Sequence, residues 1–241
     1  VPTAFITGGT RGIGLAIADR FAKDGHDLGL IYAQDNAAAE RAAEALRARH
    51  GRKVATVAAD VSDLEAAKNA VATLEQAVGR CDVLVNNAGI IKDALFLFSD
   101  PTQNERVIDV HLYGAMHMTR ATLKGMIAKR GGNIINVISP SAFRGRPGQT
   151  AYAAAKGALL SFTKTLAAEV GGFGIRVNAL LPGIIETDMT AGLSEEVRQG
   201  LLSRVSMARF GKPEEVASAA ALLLRASYMH ASVLCVDGGL M

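Results

Sequence analysis

Residues 3–14 read Thr3-Ala4-Phe5-Ile6-Thr7-Gly8-Gly9-Thr10-Arg11-Gly12-Ile13-Gly14, or TAFITGGTRGIG. A short apolar run breaks into a glycine-rich turn, and a helical pattern follows over about 13–24. Gly8, Gly12 and Gly14 stand in the spacing G-x-x-x-G-x-G, distinct from the G-x-G-x-x-G of other nucleotide folds. The physical logic is shared. Glycines permit a tight turn and close backbone approach, and the opening helix offers free N–H groups to a pyrophosphate. For this motif alone, a glycine-rich turn with no ligand is the plain structural alternative.

Outward from that turn, the strand-then-helix unit repeats. Strands are predicted at Thr3–Thr7, Leu28–Tyr32, Val54–Ala58, Val83–Asn86, Asn133–Ser139, Arg176–Leu181 and Val233–Val236. Helices are predicted near 13–24, 36–49, 63–78, 103–129, 151–170 and 214–226. Ser62-Asp63-Leu64-Glu65 has the form of a capping box opening the third helix. Pro213 followed by Glu214 and Glu215 is a first-turn signal for the last one. The strands are apolar without polar alternation, as expected when helices cover both faces of a sheet. Repeated βα units without a long linker predict an α/β fold: a single-domain, Rossmann-type doubly wound parallel β-sheet with helices on both faces. The domain is expected to span 1–241, with a cofactor half over about 1–140 and a catalytic and substrate half over about 141–241.

Composition narrows the class. The chain has 241 residues, 49% of them hydrophobic, enough for a sizeable core. Twenty-six basic residues against 23 acidic ones give a net charge of +3, with pI ≈ 9.0. The basic residues are scattered, so no nucleic-acid arm is expected. A mild positive balance suits phosphorylated ligands or acidic partners, and solubility is the bland reading. Cys81 and Cys235 lack metal-ligand spacing and are expected to be buried free thiols in a reducing compartment; no metal site is predicted. No signal-like segment and no membrane-length apolar run is visible, so a cytoplasmic protein without membrane contact is expected. The chain opens almost directly on a strand, which suggests that a few native residues precede Val1.

A second constellation lies mid-chain. Ser139 is followed after twelve residues by Tyr152 and after three more by Lys156. Tyr152 and Lys156, four apart in a helical run, share one face. A lysine ammonium nearby would pull the phenol pKa of about 10 toward neutrality. Ser139, at the end of a strand, could hold a carbonyl oxygen while the tyrosine delivers a proton. A solvated helix-surface pair is the alternative. Asp60, Asn86-Asn87-Ala88-Gly89, Ser139 and Pro182-Gly183 all follow strands, and ligands of open α/β sheets bind outside those carboxyl ends. Asp60 could accept from an adenine amino group or simply open a helix. Asn86 and Asn87 could tie neighbouring loops together or serve turn chemistry alone.

TGGTRGIG, NNAG, the Ser139/Tyr152/Lys156 spacing and LPGIIETDMT, in this order, resemble the short-chain dehydrogenase/reductase family over essentially the whole chain. Within it, GQTAYAAAKGAL, PGIIETDMT, ARFGKPEEVA and VDGGLM resemble the 3-oxoacyl-[acyl-carrier-protein] reductases. The resemblance implies hydride transfer between NAD(P)H and a carbonyl carbon. Tyr152 would donate the proton, Ser139 position the oxygen, and Lys156 lower the tyrosine pKa and bond the nicotinamide ribose. It implies cofactor contacts at Gly8, Thr10, Arg11, Gly12, Ile13, Gly14, Tyr32, Asp60, Val61, Asn87, Ala88, Gly89, Tyr152, Lys156, Pro182, Gly183, Ile185 and Thr187. NADPH is expected over NADH. Tyr32 stands where NAD-preferring members carry an acid, and Arg11 can attract a 2′-phosphate. Asp35 is the counter-sign, here expected in a solvent-facing loop.

One position departs from the family pattern. The usual catalytic asparagine is His111, in Val110-His111-Leu112-Tyr113-Gly114. Histidine titrates near neutrality and cannot copy an amide's paired donor and acceptor. It is read as a working substitute, as the mark of a specialised paralogue, or as a sign of impaired catalysis. Lys124, Lys129 and Arg130 fit the family's basic dock for acidic acyl carrier protein; a solvated helix end is the alternative. Phe173, Ser206 and His230 depart from the family pattern in docking, lid and interface regions. Met189–Phe210 is the expected substrate lid, with Met189, Leu193, Leu201, Leu202, Met207 and Phe210 suiting an acyl chain. The long fourth and fifth helices and VDGGLM resemble tetramer-building elements. A homo-oligomer, tetramer or dimer, is therefore expected, or a hetero-oligomer with a paralogue. The competing functions are a carrier-protein reductase of fatty-acid or polyketide/polyene synthesis, a reductase or dehydrogenase of small free ketones or alcohols, and a catalytically weak cofactor-binding subunit.

Overall fold

A computed structural model of the protein describes residues 1–192 and 194–241, without the side chain of Met189. Strands β1 (Thr3–Thr7), β2 (Asp27–Tyr32), β3 (Val54–Ala58), β4 (Val83–Asn86), β5 (Gly132–Val137), β6 (Ile175–Pro182) and β7 (Val233–Val236) alternate with helices. The helices are α1 (Gly12–Lys23), α2 (Asn36–His50), α3 (Leu64–Val78), α4 (Pro101–Ile108), α5 (Gly114–Ala128), α6 (Thr150–Val170), α7 (Asp188–Ala191), α8 (Glu195–Leu202) and α9 (Pro213–Arg225). The strands form one seven-stranded sheet in the order β3-β2-β1-β4-β5-β6-β7. Every pairing is parallel. The doubly wound α/β expectation is met.

The order reverses between β1 and β4, and the crevice outside their carboxyl ends is where such sheets bind ligands. Side-chain alternation builds the two layers. Ile6, Leu28, Leu30 and Val85 face α1, α2 and α9, against Ile17, Phe21, Leu46 and Val216. Phe5, Ile31, Leu84 and Ile134 face α3, α5 and α6, against Leu74, Met118 and Leu166. Each such buried side chain contributes roughly 1.5–3 kcal/mol. Among the described residues no helix is long and apolar enough to cross a membrane.

Polar groups inside the sheet are bonded to each other. Asn86 Nδ2 donates to Asn136 Oδ1 at 2.8 Å and to Thr119 Oγ1 at 3.2 Å. Asn136 Nδ2 donates to Thr163 Oγ1 at 2.9 Å. This chain crosses β4, β5, α5 and α6 just below the rim. Farther along, the Arg176 guanidinium donates to the carbonyls of Leu223, Leu224, Ala226 and Met229. It satisfies the open carbonyls at the end of α9 with a matching charge.

Four local expectations are corrected. The long helix predicted near 103–129 is two helices, α4 and α5, joined by a π turn at Asp109–Tyr113. Apolar periodicity runs through a one-residue insertion of this kind, so the pattern hides it. Ser139 lies beyond β5, which ends at Val137. The cap of α3 is Asp63, whose carboxylate accepts from Ala66 N at 2.9 Å. Ser62 turns to Asp60 instead. Cys81 is buried, but Cys235 is exposed. On edge strand β7, Leu234 and Val236 pack against the α9 layer and Cys235 points the other way.

Asn136→Leu would strip partners from Asn86 and Thr163 inside the core. It is expected to lower unfolding free energy by about 2–4 kcal/mol, measured by urea denaturation, while leaving the urea dependence m unchanged.

Candidate active site

Gly8 and Gly12 adopt φ of 63° and 53°, the left-handed region that glycine enters freely. Gly14 is required by space. A Cβ there would lie 2.1 Å from Gly8 O and 2.6 Å from Asn87 Nδ2. That crowding arises because Asn87 stitches the turn to β4. Its backbone N–H donates to Thr7 Oγ1 at 2.9 Å and its Nδ2 to Thr7 O at 3.0 Å. Ala88 N–H also donates to Thr7 Oγ1, at 2.9 Å. Arg11 caps α1 with its backbone only, and no side chain bonds the first turn. The N–H groups of Ile13 and its neighbours therefore face the crevice, with Thr10 and the exposed Arg11 beside them. Thr187 closes the far side: a Cβ on Gly12 would sit 3.4 Å from Thr187 Cγ2. Pro182 ends β6, Gly183 follows it, and Ile185 is buried beneath. Open N–H donors, a glycine floor and an arginine at the lip fit a dinucleotide pyrophosphate and phosphate.

The second rim segment is partly occupied by its own contacts. Tyr32 Oη donates to Asn36 Oδ1 at 3.0 Å. Asp35, exposed as expected, caps α2 by accepting from Ala38 N at 2.9 Å. Asp60 accepts from Ser62 N at 3.0 Å and Ser62 Oγ at 2.7 Å, and pairs with Arg106 at 2.5 Å. Burial raises the Asp60 pKa, but the Ser62 and Arg106 bonds outweigh it and hold the carboxyl below its usual range. Most of its acceptor capacity is thus taken. The Val61 side chain is buried in the core, so only its backbone is available at the rim.

Ser139, Tyr152, Lys156 and His111 converge. Ser139 Oγ accepts from Ser141 N at 3.2 Å. Lys156 Nζ lies 5.7 Å from the centre of the Tyr152 ring. The His111 ring stands edge-on to Tyr152, with centroids 5.0 Å apart and planes at 88°. Only the absence of a side chain at Gly89 admits the imidazole: a Cβ there would fall 2.2 Å from His111 Cε1.

Burial sets the protonation states, and two expectations change. Desolvation raises the Tyr152 pKa above its ordinary value; a Ser139 hydrogen bond lowers it, Asp93 raises it and Arg146 lowers it. The net direction is upward, not toward neutrality. Burial lowers the Lys156 pKa to about 7, and its Nζ donates to Val137 O at 2.6 Å. His111 is driven to about 3, first by burial and then by the Lys156 charge, against an Ile90 bond that raises it. It is a neutral ring throughout the physiological range, not a group titrating near neutrality. Its Nε2 lies 2.8 Å from Ile90 O and 3.1 Å from Ile90 N. One nitrogen can donate or accept but not both, so each tautomer leaves one Ile90 group unmet. Its Nδ1 is buried without a partner.

The structure adds residues the sequence reading passed over. Gln149 is 4% exposed. It bonds Ser141 on one side and Asp93 on the other. A glutamine just before a predicted helix carried no signal of burial. The basic trio is not drawn to the cleft. Lys124 is exposed on α5. Lys129 pairs with Asp82 at 2.5 Å and Arg130 donates to Gly172 O at 3.1 Å, both beside the amino end of β5 on the opposite rim. In the lid segment Phe210 is buried beneath the Arg198 guanidinium, 4.5 Å from its ring, and Met207 is 60% exposed. Leu201 and Leu202 are half-buried. Leu193 and the Met189 side chain lie outside the described residues.

A family model described as enoyl-(acyl carrier protein) reductase matches residues 8–241. The chain is 41% identical over 239 residues to the 3-oxoacyl-[acyl-carrier-protein] reductase of Chlamydia muridarum, covering 98% of this chain and 96% of the relative. It is 42% identical over 239 residues to the protein of the same name from Thermotoga maritima, with the same coverage. It is also similar to nodulation protein G of Azospirillum brasilense, 39% identical over 241 residues, 98% of this chain and 97% of the relative. The chain belongs to the short-chain dehydrogenase/reductase family.

Lys156 makes a stability prediction with a definite sign. Folding lowers its pKa from 10.5 to about 7. Between those values the unfolded chain binds more protons, so this group makes stability rise with pH across that window. Lys156→Met is expected to raise Tm at neutral pH, by about 2–4 °C for each kcal/mol recovered. It should also flatten the climb of Tm toward alkaline pH that this shift predicts for the parent. Calorimetry across the window checks both.

Proposed function

We propose that this chain reduces a 3-oxoacyl thioester carried on acyl carrier protein to the 3-hydroxyacyl product in fatty-acid biosynthesis, with NADPH as reductant. The observation that carries the reading is the convergence of Ser139, Tyr152, Lys156 and His111 on the rim that holds the glycine turn. Relatives with that name, about as similar over nearly their whole length, supply the substrate class. The family model carries an enoyl-reductase description. A serine and a tyrosine hydroxyl bonded to each other suit a carbonyl oxygen, which needs both a hydrogen-bond donor and a proton.

NADPH, when bound, supplies the hydride. The chain's own residues do the rest. Ser139 Oγ accepts from Ser141 N–H and is bonded to the Tyr152 hydroxyl, so its hydroxyl hydrogen has only to turn from the phenol to hold the substrate oxygen. Tyr152, kept protonated by desolvation, stands ready as the acid. Lys156, with a pKa lowered to about 7, can return a proton to the phenolate near neutral pH. Arg11 at the lip and the absence of a carboxylate at Tyr32 favour a 2′-phosphate; Asp35 is engaged as a helix cap. The finer assignments belong to the same proposal: cytoplasmic location, an acidic carrier as the bearer of the substrate, and a homo-oligomer. The homo-oligomer is supported by the exposed run Leu95, Phe96, Leu97 and Phe98, at 55%, 70%, 84% and 77%.

Oxidation of NADPH is to be followed with acetoacetyl-carrier protein beside a free acetoacetyl thioester and small ketones. Turnover of the carrier-linked substrate, lost by about 10²–10⁴-fold in Tyr152→Phe with NADPH affinity retained, is the expected outcome. Turnover of small ketones alone, or NADPH binding without turnover, would overturn it.

A neutral His111 also predicts how rate responds to pH. His111→Asn should change kcat without moving any limb of the pH–rate profile from mildly acid to mildly alkaline conditions. A limb that disappears in the variant would mean that the imidazole titrates during turnover.

A further inference from the structure

Gln149 is a long amide buried at the edge of the site, 4% exposed. Burying an amide costs free energy unless both of its ends are bonded. Here both are. Nε2 donates toward the two carboxylate oxygens of Asp93, at 3.2 and 3.1 Å. Oε1 accepts from Ser141 Oγ at 2.8 Å. The amide cannot be reversed, because its oxygen would then face a carboxylate. Ser141 N–H continues the chain to Ser139 Oγ at 3.2 Å. Beside it, Ala94 N donates to Gly148 O at 2.9 Å.

The partners explain why this matters. Asp93 belongs to the segment between β4 and α4, whose large apolar residues from Leu95 to Phe98 are exposed. Ala88 and Ile90 pack on the core and Ile90 meets His111, but from Asp93 to Phe98 core packing does not hold the segment against the site; the bonds to Gln149 and Gly148 do. On the other side, Ser139 lies past the end of β5 and is fixed by the Ser141 turn. Tyr152 follows Gln149 by three residues on α6.

We propose that Gln149 is a positioning residue that clamps the Asp93 segment to the Ser139 turn, so that the two walls of the substrate cleft move as one body and Ser139 keeps its hydroxyl aimed at the substrate oxygen. The inference rests on the reading of Ser139 and Tyr152 as the groups that meet that oxygen. Its consequence is geometric. Loss of the clamp should lower kcat with little effect on cofactor affinity, because the glycine turn is not among its contacts.

The test inverts the polarity of the link. Gln149→Glu faces one carboxylate with another under mildly alkaline conditions, while Asp93→Asn/Gln149→Glu restores one donor and one acceptor in reverse order. Hydrogen exchange by mass spectrometry is read across 90–98 and 139–149 in cofactor-free protein, together with kcat, NADPH affinity and Tm. Gln149→Glu is expected to raise exchange in both segments together and to lower kcat by roughly 10–100-fold, with NADPH affinity unchanged. The double variant is expected to return exchange to the parent level and recover most of kcat. A Gln149→Glu protein with unaltered exchange in 90–98 overturns the clamp. So does a double variant that stays as impaired as the single one, since a merely space-filling glutamine would not be rescued by reversed polarity. If exchange behaves as expected but the parent protein turns over no oxoacyl thioester, the functional reading falls and the clamp stands.

Discussion

The hydrogen bonds from Asn87 and Ala88 to Thr7 join the ends of β1 and β4, where the strand order reverses. A sheet that winds outward in both directions leaves a gap at that reversal, and these bonds fix its width. Gly14 must be glycine because Gly8 O and Asn87 Nδ2 occupy the space of its Cβ. The first turn of α1 is thereby held open toward the crevice. Ser139, Gly183 and the segment from Ile184 to Thr187 then meet it from β5 and β6.

Desolvation is the second organising influence, and it acts on three titratable groups at once. It raises the tyrosine, lowers the lysine and neutralises the histidine. A tyrosine that keeps its proton is a competent acid toward a carbonyl. A lysine held close to neutral pH can exchange protons in either direction at small cost. Lys156 also carries a stability penalty that a merely structural side chain would not, the usual sign that a buried ionisable group is retained for chemistry. The unpartnered Nδ1 of His111 is a further unmet polar group in the same small volume.

Much of the fold and part of the site were legible in the chain. Apolar runs of strand length, glycine turns and helix periodicity are local properties, and strands fully covered on both faces leave a plain apolar signature. The spacing of Ser139, Tyr152 and Lys156 was visible because α6 sets two of them and the end of β5 sets the third. His111 was visible only as a residue out of pattern. Its neutrality, its edge-on contact with Tyr152 and its dependence on Gly89 were not. They arise where the π turn between α4 and α5 meets the β4 loop. Gln149 and Asp93 were illegible for the same reason: 56 residues separate them.

The amino-acid sequence by itself determined the alternating elements, the glycine turn and the residues able to carry proton transfer, because each depends on neighbours along the chain. The tertiary structure decided which charges survive burial, which acids are already engaged, and which basic residues lie near the cleft. Asp35 and Asp60 are engaged as a helix cap and an ion pair, and Lys129 and Arg130 lie on the far rim. Those properties are set by solvent exclusion and by contacts between distant segments, so no local pattern encodes them.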